Sequence, residues 1–186
     1  HSFPTRRSSD LELRIIIDPI SAAQLDPLIW GWWRFSALLW APLMGLDENE
    51  QAVPTGLATD WDVSEDGLVY TFYLREDAKF SDGSPITAED VKWNFDHWAM
   101  LAHPDHIGVR SNYGQLKHVG QIVGAQKWLT GDGVESTSLL GTGDLEGITV
   151  IDDYALQMEL TIPAPGFLPT LARLFPRGKL RGAFFF

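Results

Sequence analysis

The fold of this chain is decided by residues 56–95, which read GLATDWDVSEDGLVYTFYLREDAKFSDGSPITAEDVKWNF. Two runs rich in aromatic and β-branched residues flank residues 64–67, and the Asp-Gly pair between them is typical of a β-hairpin turn. In the second run, alternate side chains point to opposite faces of a strand. The two sets are Tyr70, Phe72 and Leu74 on one face and Val69, Thr71 and Tyr73 on the other. Both sets are mostly apolar or aromatic, so we expect both faces to be covered.

A helix is predicted directly after this hairpin, beginning at Thr87. Thr87 and Asp90 have the spacing of a capping box, in which the two residues satisfy each other's backbone amides. One apolar face follows at helical spacing, formed by Val91, Phe95 and Trp98. We expect that face to pack on the sheet of the hairpin, and we expect His103-Pro104 to end the helix.

Weaker patterns predict elements on both sides of this unit. They are a strand at Leu13–Ile17, a helix at Trp30–Met44 that Pro42 ends or kinks, a short strand and turn at Lys79–Gly83, a helix around Val119–Leu129, an exposed glycine-rich excursion at Thr130–Gly147, a hairpin at Ile148–Leu160 and a short helix at Leu168–Leu174. This order predicts an α+β fold, with a mostly antiparallel sheet and helices on one face.

The amino-acid composition excludes several classes of function. The chain has 186 residues, which is typical of one domain or slightly more. A net charge of -11 argues against nucleic-acid binding, and the absence of cysteine excludes disulfides and thiolate chemistry. No apolar run of about 18 residues is present, so no membrane span is predicted. Eight tryptophans indicate either core anchors or aromatic walls for a ligand.

Neither end of the chain has the pattern of folded protein. Residues 1–11, HSFPTRRSSDL, are polar and patternless and resemble a translated sequencing adapter. Residues 177–186, RGKLRGAFFF, shift abruptly to positive charge, which favours a frame error over a natural amphipathic helix. We therefore expect the natural N-terminus, with any signal sequence, to lie outside this chain.

Residues 56–95 closely resemble the signature of family 5 of the bacterial extracellular solute-binding proteins. These proteins are the oligopeptide, dipeptide and nickel-type receptors of ABC importers. The matching positions are Leu57-Ala58, Trp61, Asp66-Gly67, Tyr70–Tyr73, Leu74-Arg75, Phe80, Asp82-Gly83 and Thr87–Val91. Leu25-Asp26-Pro27 and Ile151–Tyr154 resemble two flanking motifs of the family, so that the resemblance covers roughly residues 12–170.

The resemblance implies the N-terminal part of a periplasmic-binding-protein type II-like fold. Residues 12–35 would begin lobe I, residues 36–165 would form an inserted α+β domain, and residues 166–186 would return to lobe I. The second lobe would be missing, so that the chain would be a fragment of a receptor.

The resemblance also implies a function. The receptor would capture peptides or a related small solute outside the cytoplasmic membrane and deliver them to ABC permease subunits for transmembrane transport. It would be periplasmic or at the cell surface, and it would meet the membrane only through a lipid anchor or the permease. No enzyme activity and no cofactor are expected.

Candidate ligand residues follow Pro27, where the family places a connection near the cleft. Trp30 and Trp32 would supply aromatic walls, and Arg34 would meet a carboxylate. The alternative is that this segment is the buried start of a helix. The signature itself is expected to be scaffold, with Arg75 paired to a carboxylate or to backbone carbonyls.

Other constellations suggest other classes of protein. His97, His103 and His106 raise the question of a metal site, but Pro104 breaks the helical spacing that would make them converge. The acidic pairs Glu65-Asp66, Glu76-Asp77 and Glu89-Asp90, together with the many tryptophans, leave open a carbohydrate-active enzyme with a Trp-lined cleft. A third possibility is an interaction domain that exposes tryptophan to a partner.

Overall fold

The computed structural model describes residues 41–80, 82–106, 120–136 and 142–173. The predicted strand at 13–17 lies outside these residues, as does most of the predicted helix at 30–44. Its last residues, 41–44, are described and are not helical. This agrees with Pro42, which has no backbone N–H to continue a helix.

The described chain begins with four strands, continues with two helices and a 3₁₀ turn, and ends with two strands and a helix. They are β1 (Gly45–Leu46), β2 (Ala52–Val53), β3 (Ala58–Val63), β4 (Val69–Leu74), α1 (Ala88–Ala102), a 3₁₀ turn (Pro104–His106), α2 (Ala125–Thr130), β5 (Ile148–Asp152), β6 (Ala155–Glu159) and α3 (Phe167–Arg173). The fold is mixed helix and antiparallel sheet, as predicted. Among these helices, none combines the length and apolar character needed to cross a membrane.

The main sheet has four antiparallel strands in the order β3-β4-β6-β5. The predicted hairpin forms its first half. Its turn is held by Asp66, whose carboxylate accepts hydrogen bonds from the Ser64 hydroxyl at 2.5 Å and the Leu68 amide at 3.0 Å. Gly67 follows with φ 70°, a left-handed conformation that glycine adopts at little cost. The predicted strand at Lys79 is reduced to a single bridge with Pro85.

The core lies between one face of this sheet and α1. The predicted apolar face of α1 is fully buried, with Val91 and Phe95 inaccessible and Trp98 2% exposed. From the sheet, the largest buried side chains are Tyr70, Phe72, Leu74, Leu156 and Met158. The predicted capping box is present, and the Asp90 carboxylate accepts hydrogen bonds from the Thr87 amide at 2.7 Å and hydroxyl at 2.8 Å. The helix ends at Ala102, directly before His103, as predicted.

The expectation that both faces of β4 are covered was wrong. Tyr73, on the outer face, is 40% exposed. Its hydroxyl donates a hydrogen bond to Asp62 at 2.9 Å, and the neighbouring Gln157 amide donates to Thr71 at 3.2 Å. Tyrosine and threonine combine a strand-forming body with a polar tip, so that this face is compatible with water although its pattern is aromatic.

The helix predicted around Val119–Leu129 is shorter than expected. It begins at Ala125, because Gly124 takes a left-handed conformation with φ 85° and interrupts the preceding backbone. Ile122 fits the apolar periodicity but pairs as a β-bridge with Leu160, at the end of the strand hairpin. The last predicted helix is displaced by one residue, to α3.

Replacement of Phe95 tests the α1–sheet core. Phe95→Ala is expected to lower the free energy of unfolding by about 3–5 kcal/mol, because it removes a fully buried ring and leaves a cavity. Ile151→Ala is the control, since Ile151 is 52% exposed and its truncation should cost well under about 1 kcal/mol. Urea unfolding of both variants measures the difference, and equal costs would contradict this placement of the core.

Candidate functional site

The predicted ligand residues Trp30, Trp32 and Arg34 lie outside the described residues, so that they stay a prediction. The described chain that follows them is fixed to the main sheet. The amides of Leu57 and Ala58 donate hydrogen bonds to the carbonyls of Pro42 and Leu43, both at 2.8 Å. A Cβ atom on Gly56 would lie 2.2 Å from the Pro42 carbonyl oxygen, so that only glycine permits this close approach.

The segment that leaves the sheet is anchored in the same region. The Tyr70 hydroxyl donates a hydrogen bond to the Ala164 carbonyl at 3.3 Å, and its ring lies 4.8 Å from that of Phe167. Helix α3, which Phe167 begins, packs against β1 and β2. The incoming residues 41–46 and the outgoing residues 164–173 therefore lie side by side, on one region of the fold.

Arg75 has the scaffold role that the sequence predicts. Its guanidinium contacts both oxygens of Asp77, at 2.6 and 3.1 Å. This hydrogen-bonded contact raises the pKa of Arg75 and lowers the pKa of Asp77. The pair lies at the surface, where such ion pairs contribute little to stability. The Arg75 amide also donates to the Leu57 carbonyl at 2.8 Å, so the residue belongs to the framework.

The acidic pairs that raised the possibility of a glycosidase serve local structure. Asp66 holds the hairpin turn, Asp77 pairs with Arg75, and Asp90 caps α1. A glycosidase acid needs a raised pKa, so that it keeps its proton until it donates it. The pKa of Asp66 is instead lowered, by the hydrogen bond from Ser64 and then by that from the Leu68 amide. These residues give no support to the enzyme alternative.

A buried carboxylate fixes part of the segment that was predicted to be an exposed excursion. Asp96, on α1, accepts hydrogen bonds from Lys92 at 2.7 Å and from the Leu145 amide at 2.8 Å. Lys92 also contacts Asp144 at 3.0 Å. Leu145 is completely buried and Gly147 is also buried, so the expectation of exposure was wrong at these two positions, whereas residues 142, 144 and 146 are exposed as predicted. We call Lys92, Asp96 and Asp144 the acid–lysine node.

Burial and ion pairing act differently on Asp96 and on Lys92 in this node. Burial raises the pKa of Asp96, and the hydrogen bonds from Lys92 and Leu145 offset only part of that cost. Burial would lower the pKa of Lys92, but two carboxylates within 3.0 Å outweigh it, and the net shift is upward. The pKa of Asp96 rises because burial outweighs its one ammonium partner, and the pKa of Lys92 rises because its two carboxylate partners outweigh burial.

The histidines do not assemble a metal site within the described ranges. No group of three or more histidine, cysteine or acidic side chains is placed to hold a metal there. His97 stacks on Trp93, with ring centroids 5.0 Å apart. His103 and His106 are neighbours at the end of α1, with ring centroids 6.4 Å apart.

This framework matches a known family. Residues 52–179 match the family model described as bacterial extracellular solute-binding proteins, family 5 Middle. The matched range begins at β2 and includes the main sheet, α1 and the acid–lysine node. The chain belongs to this family of solute-binding proteins.

Individual family 5 proteins agree with this assignment. The chain is 34% identical over 119 residues to the periplasmic oligopeptide-binding protein OppA of Escherichia coli, covering 62% of this chain and 19% of that protein. It is 32% identical over 143 residues to the periplasmic murein peptide-binding protein MppA of the same organism, covering 76% and 24%. The chain therefore spans about a fifth to a quarter of the length of these family 5 relatives.

The fold of the family 5 proteins is also shared. The unliganded open form of the murein tripeptide-binding protein MppA superimposes with a TM-score of 0.58 at 30% identity, covering 79% of this chain and 26% of that one. This confirms the predicted type II-like binding-protein fold for the part of the family 5 architecture that the chain spans.

Replacement of Asp96 tests the acid–lysine node. Asp96→Ala is expected to lower the free energy of unfolding by about 3 kcal/mol, because it leaves Lys92 and the Leu145 amide without their buried partner. Asp96→Asn keeps an oxygen for the amide and loses only the ionic contact, so that its cost should be smaller, about 1 kcal/mol. Urea unfolding distinguishes the two, and equal stability of Asp96→Ala and the parent would contradict a structural role for the node.

Proposed function

We propose that this chain is part of an extracytoplasmic receptor that captures peptides and delivers them to the permease of an ABC importer. The match of residues 52–179 to family 5 carries the proposal. The names of two relatives, oligopeptide-binding and murein peptide-binding, support peptide as the cargo. Both relatives are named as periplasmic, which supports a location outside the cytoplasmic membrane.

The proposed receptor binds and does not catalyse. The relatives are named as binding proteins. In the described ranges, the candidate acids have the structural partners of turns, caps and ion pairs. Binding by such receptors is a shift between open and closed arrangements of two lobes, driven by contacts made only in the closed one.

We further propose that residues 36–165 are a domain inserted into lobe I, to which residues 12–35 and 166–186 belong. The chain enters and leaves an inserted domain at the same place on the host lobe, so that the two ends of the inserted domain lie close together. The described chain has this property, because residues 41–46 and α3 pack together beside Tyr70. The contact between Tyr70 and Phe167 ties the outgoing segment to the sheet of the insert.

Trp30, Trp32 and Arg34 are the proposed ligand contacts. They precede a segment that is hydrogen-bonded to the sheet through Pro42 and Leu43. Indole rings suit apolar or ring-bearing peptide side chains, and a guanidinium suits a peptide carboxylate.

The proposed function is tested by titrating peptides into the complete receptor, of which this chain is proposed to be a part. Isothermal titration and thermal shift with peptides of several lengths are expected to show binding and a rise in melting temperature. Arg34→Ala and Trp32→Ala should each weaken binding about tenfold or more, because each removes a contact worth at least about 1.4 kcal/mol.

Trp93→Ala is the matched control. Trp93 is a 40% exposed aromatic residue on α1, within the framework, so that its truncation should leave peptide affinity unchanged. Absence of binding for every peptide tested would overturn the proposed cargo. Peptide binding that survives both Trp32→Ala and Arg34→Ala would refute only the ligand residues and leave the receptor assignment in place.

A further inference from the structure

Two histidines meet a loop at the end of α1, in a cluster that is separate in sequence from the proposed peptide contacts. His103 is the C-cap of α1, and His106 ends the 3₁₀ turn that follows. Residues 131–136, which we call the 131–136 arm, leave α2 and lie against this turn. The Ser136 hydroxyl and His106 Nε2 are 2.6 Å apart, a short hydrogen bond that ties the arm to the turn.

The ring of His103 is fixed in orientation by its surroundings. Its Nδ1 accepts a hydrogen bond from the Asp105 amide at 3.2 Å, so that the neutral ring carries its proton on Nε2. That nitrogen is buried and has no hydrogen-bond partner in the part of the chain that the structure describes. The exposed Asp105 carboxylate lies 3.5 Å from Nδ1 of the same ring.

The arm packs tightly on this ring. A Cβ atom on Gly131 would lie 3.2 Å from His103 Nε2, and Gly131 has φ 80°, which other residues rarely adopt. The Trp128 ring lies edge-on to His103, with centroids 6.4 Å apart. A change in the position of the His103 ring would therefore displace Gly131, which begins the arm.

We propose that His103 and His106 form an acid-sensitive latch, which holds the 131–136 arm against the end of α1 at neutral pH and releases it when His106 is protonated. Protonation places positive charge on the half-buried ring of His106, which the arm covers and which lies 6.4 Å from the ring of His103. Opening of the arm returns this charge to water, which lowers its free energy. The latch does not depend on the proposed cargo.

The direction of the effect agrees with the titration of His106. Burial, and then the neighbouring His103, lower the pKa of His106 below its ordinary value of about 6.5, although Asp105 opposes them. His106 therefore binds a proton more tightly when the arm is open than when it is closed. Closure is fully stable above about pH 6.5 and loses stability as the pH falls through the lowered pKa.

The other charged groups near the latch do not reverse this direction. Asp105, on the same turn, is exposed, and so are Asp132 and Glu135 on the arm. Lys127, on α2, is paired with Glu146. None of these carboxylates is desolvated, so their attraction for a protonated histidine is weakened by water.

The acid–lysine node responds in the opposite sense. Because burial raises the pKa of Asp96, the folded state binds that proton more tightly than the unfolded state. The contribution of Asp96 to the stability of the folded state therefore grows as the pH falls toward the ordinary pKa of aspartate, about 3.9. Mild acid should loosen the arm and leave residues 142–147 held on α1.

Hydrogen exchange of this 186-residue chain, followed by mass spectrometry at about pH 7.5 and about pH 5, tests the latch. Rates are divided by those of unstructured peptides of the same sequence at the same pH. We expect exchange in peptides from the arm to rise about fivefold at the lower pH, while peptides from 142–147 stay protected. A uniform change, or no change in the arm, would overturn the proposal.

His106→Gln is the decisive variant, because glutamine can hydrogen-bond Ser136 and cannot be protonated. It should keep the arm protected at neutral pH and remove most of the acid response. Ser136→Ala removes the tie and leaves both histidines, so that exchange in the arm should already be raised at neutral pH. An acid response of His106→Gln equal to that of the parent would overturn the latch.

Discussion

The contact on which the rest of this structure depends is the burial of one face of α1 against the inner face of the four-stranded sheet. Phe72 and Phe95 are completely inaccessible to solvent. Burial of a side chain of this size stabilises the fold by about 2–3 kcal/mol, and several such side chains meet here. The capping box at Thr87 fixes where α1 begins and thereby which residues it presents to the sheet.

Everything outside this core is attached to it by a small number of specific contacts. Pro42 and Leu43 pair with the edge of the sheet, Tyr70 receives the outgoing segment, and Asp96 binds the 142–147 segment through the Leu145 amide. The described residues therefore form one framework to which the incoming and outgoing segments are tied. A framework of this kind is consistent with membership of family 5, since function lies in sites placed on a fold and not in the fold itself.

The core could be predicted from the sequence because its signals are local. The Asp66-Gly67 turn, the alternation in β4 and the spacing of Thr87 and Asp90 each lie within a few residues. The resemblance to family 5 rests on the same stretch, so that fold and family were predicted together. The Ile148–Leu160 hairpin followed from equally local alternation, and it forms the other half of the sheet.

The misplaced elements depend on contacts between distant residues or on glycine. The hydrogen bond from the Leu145 amide to Asp96 joins residues 49 positions apart, and no pattern near Leu145 indicates it. Gly124 shortened a helix whose apolar periodicity looked longer. Tyr73 was misjudged because its aromatic ring suggested burial and its hydroxyl permits exposure. For Trp30, Trp32 and Arg34, the sequence pattern favours the buried start of a helix over a ligand wall, and these residues lie outside the described ranges.

Native-state hydrogen exchange, resolved by residue, is the most direct measurement of the central claim. If α1 and the sheet form one cooperative unit, the amides of Phe72, Phe95 and Leu156 exchange only through global unfolding. Their opening free energies should then equal each other and the value from urea unfolding. A distinctly lower opening free energy for Phe95 than for Phe72 and Leu156 would show that α1 detaches by itself, and would contradict the account.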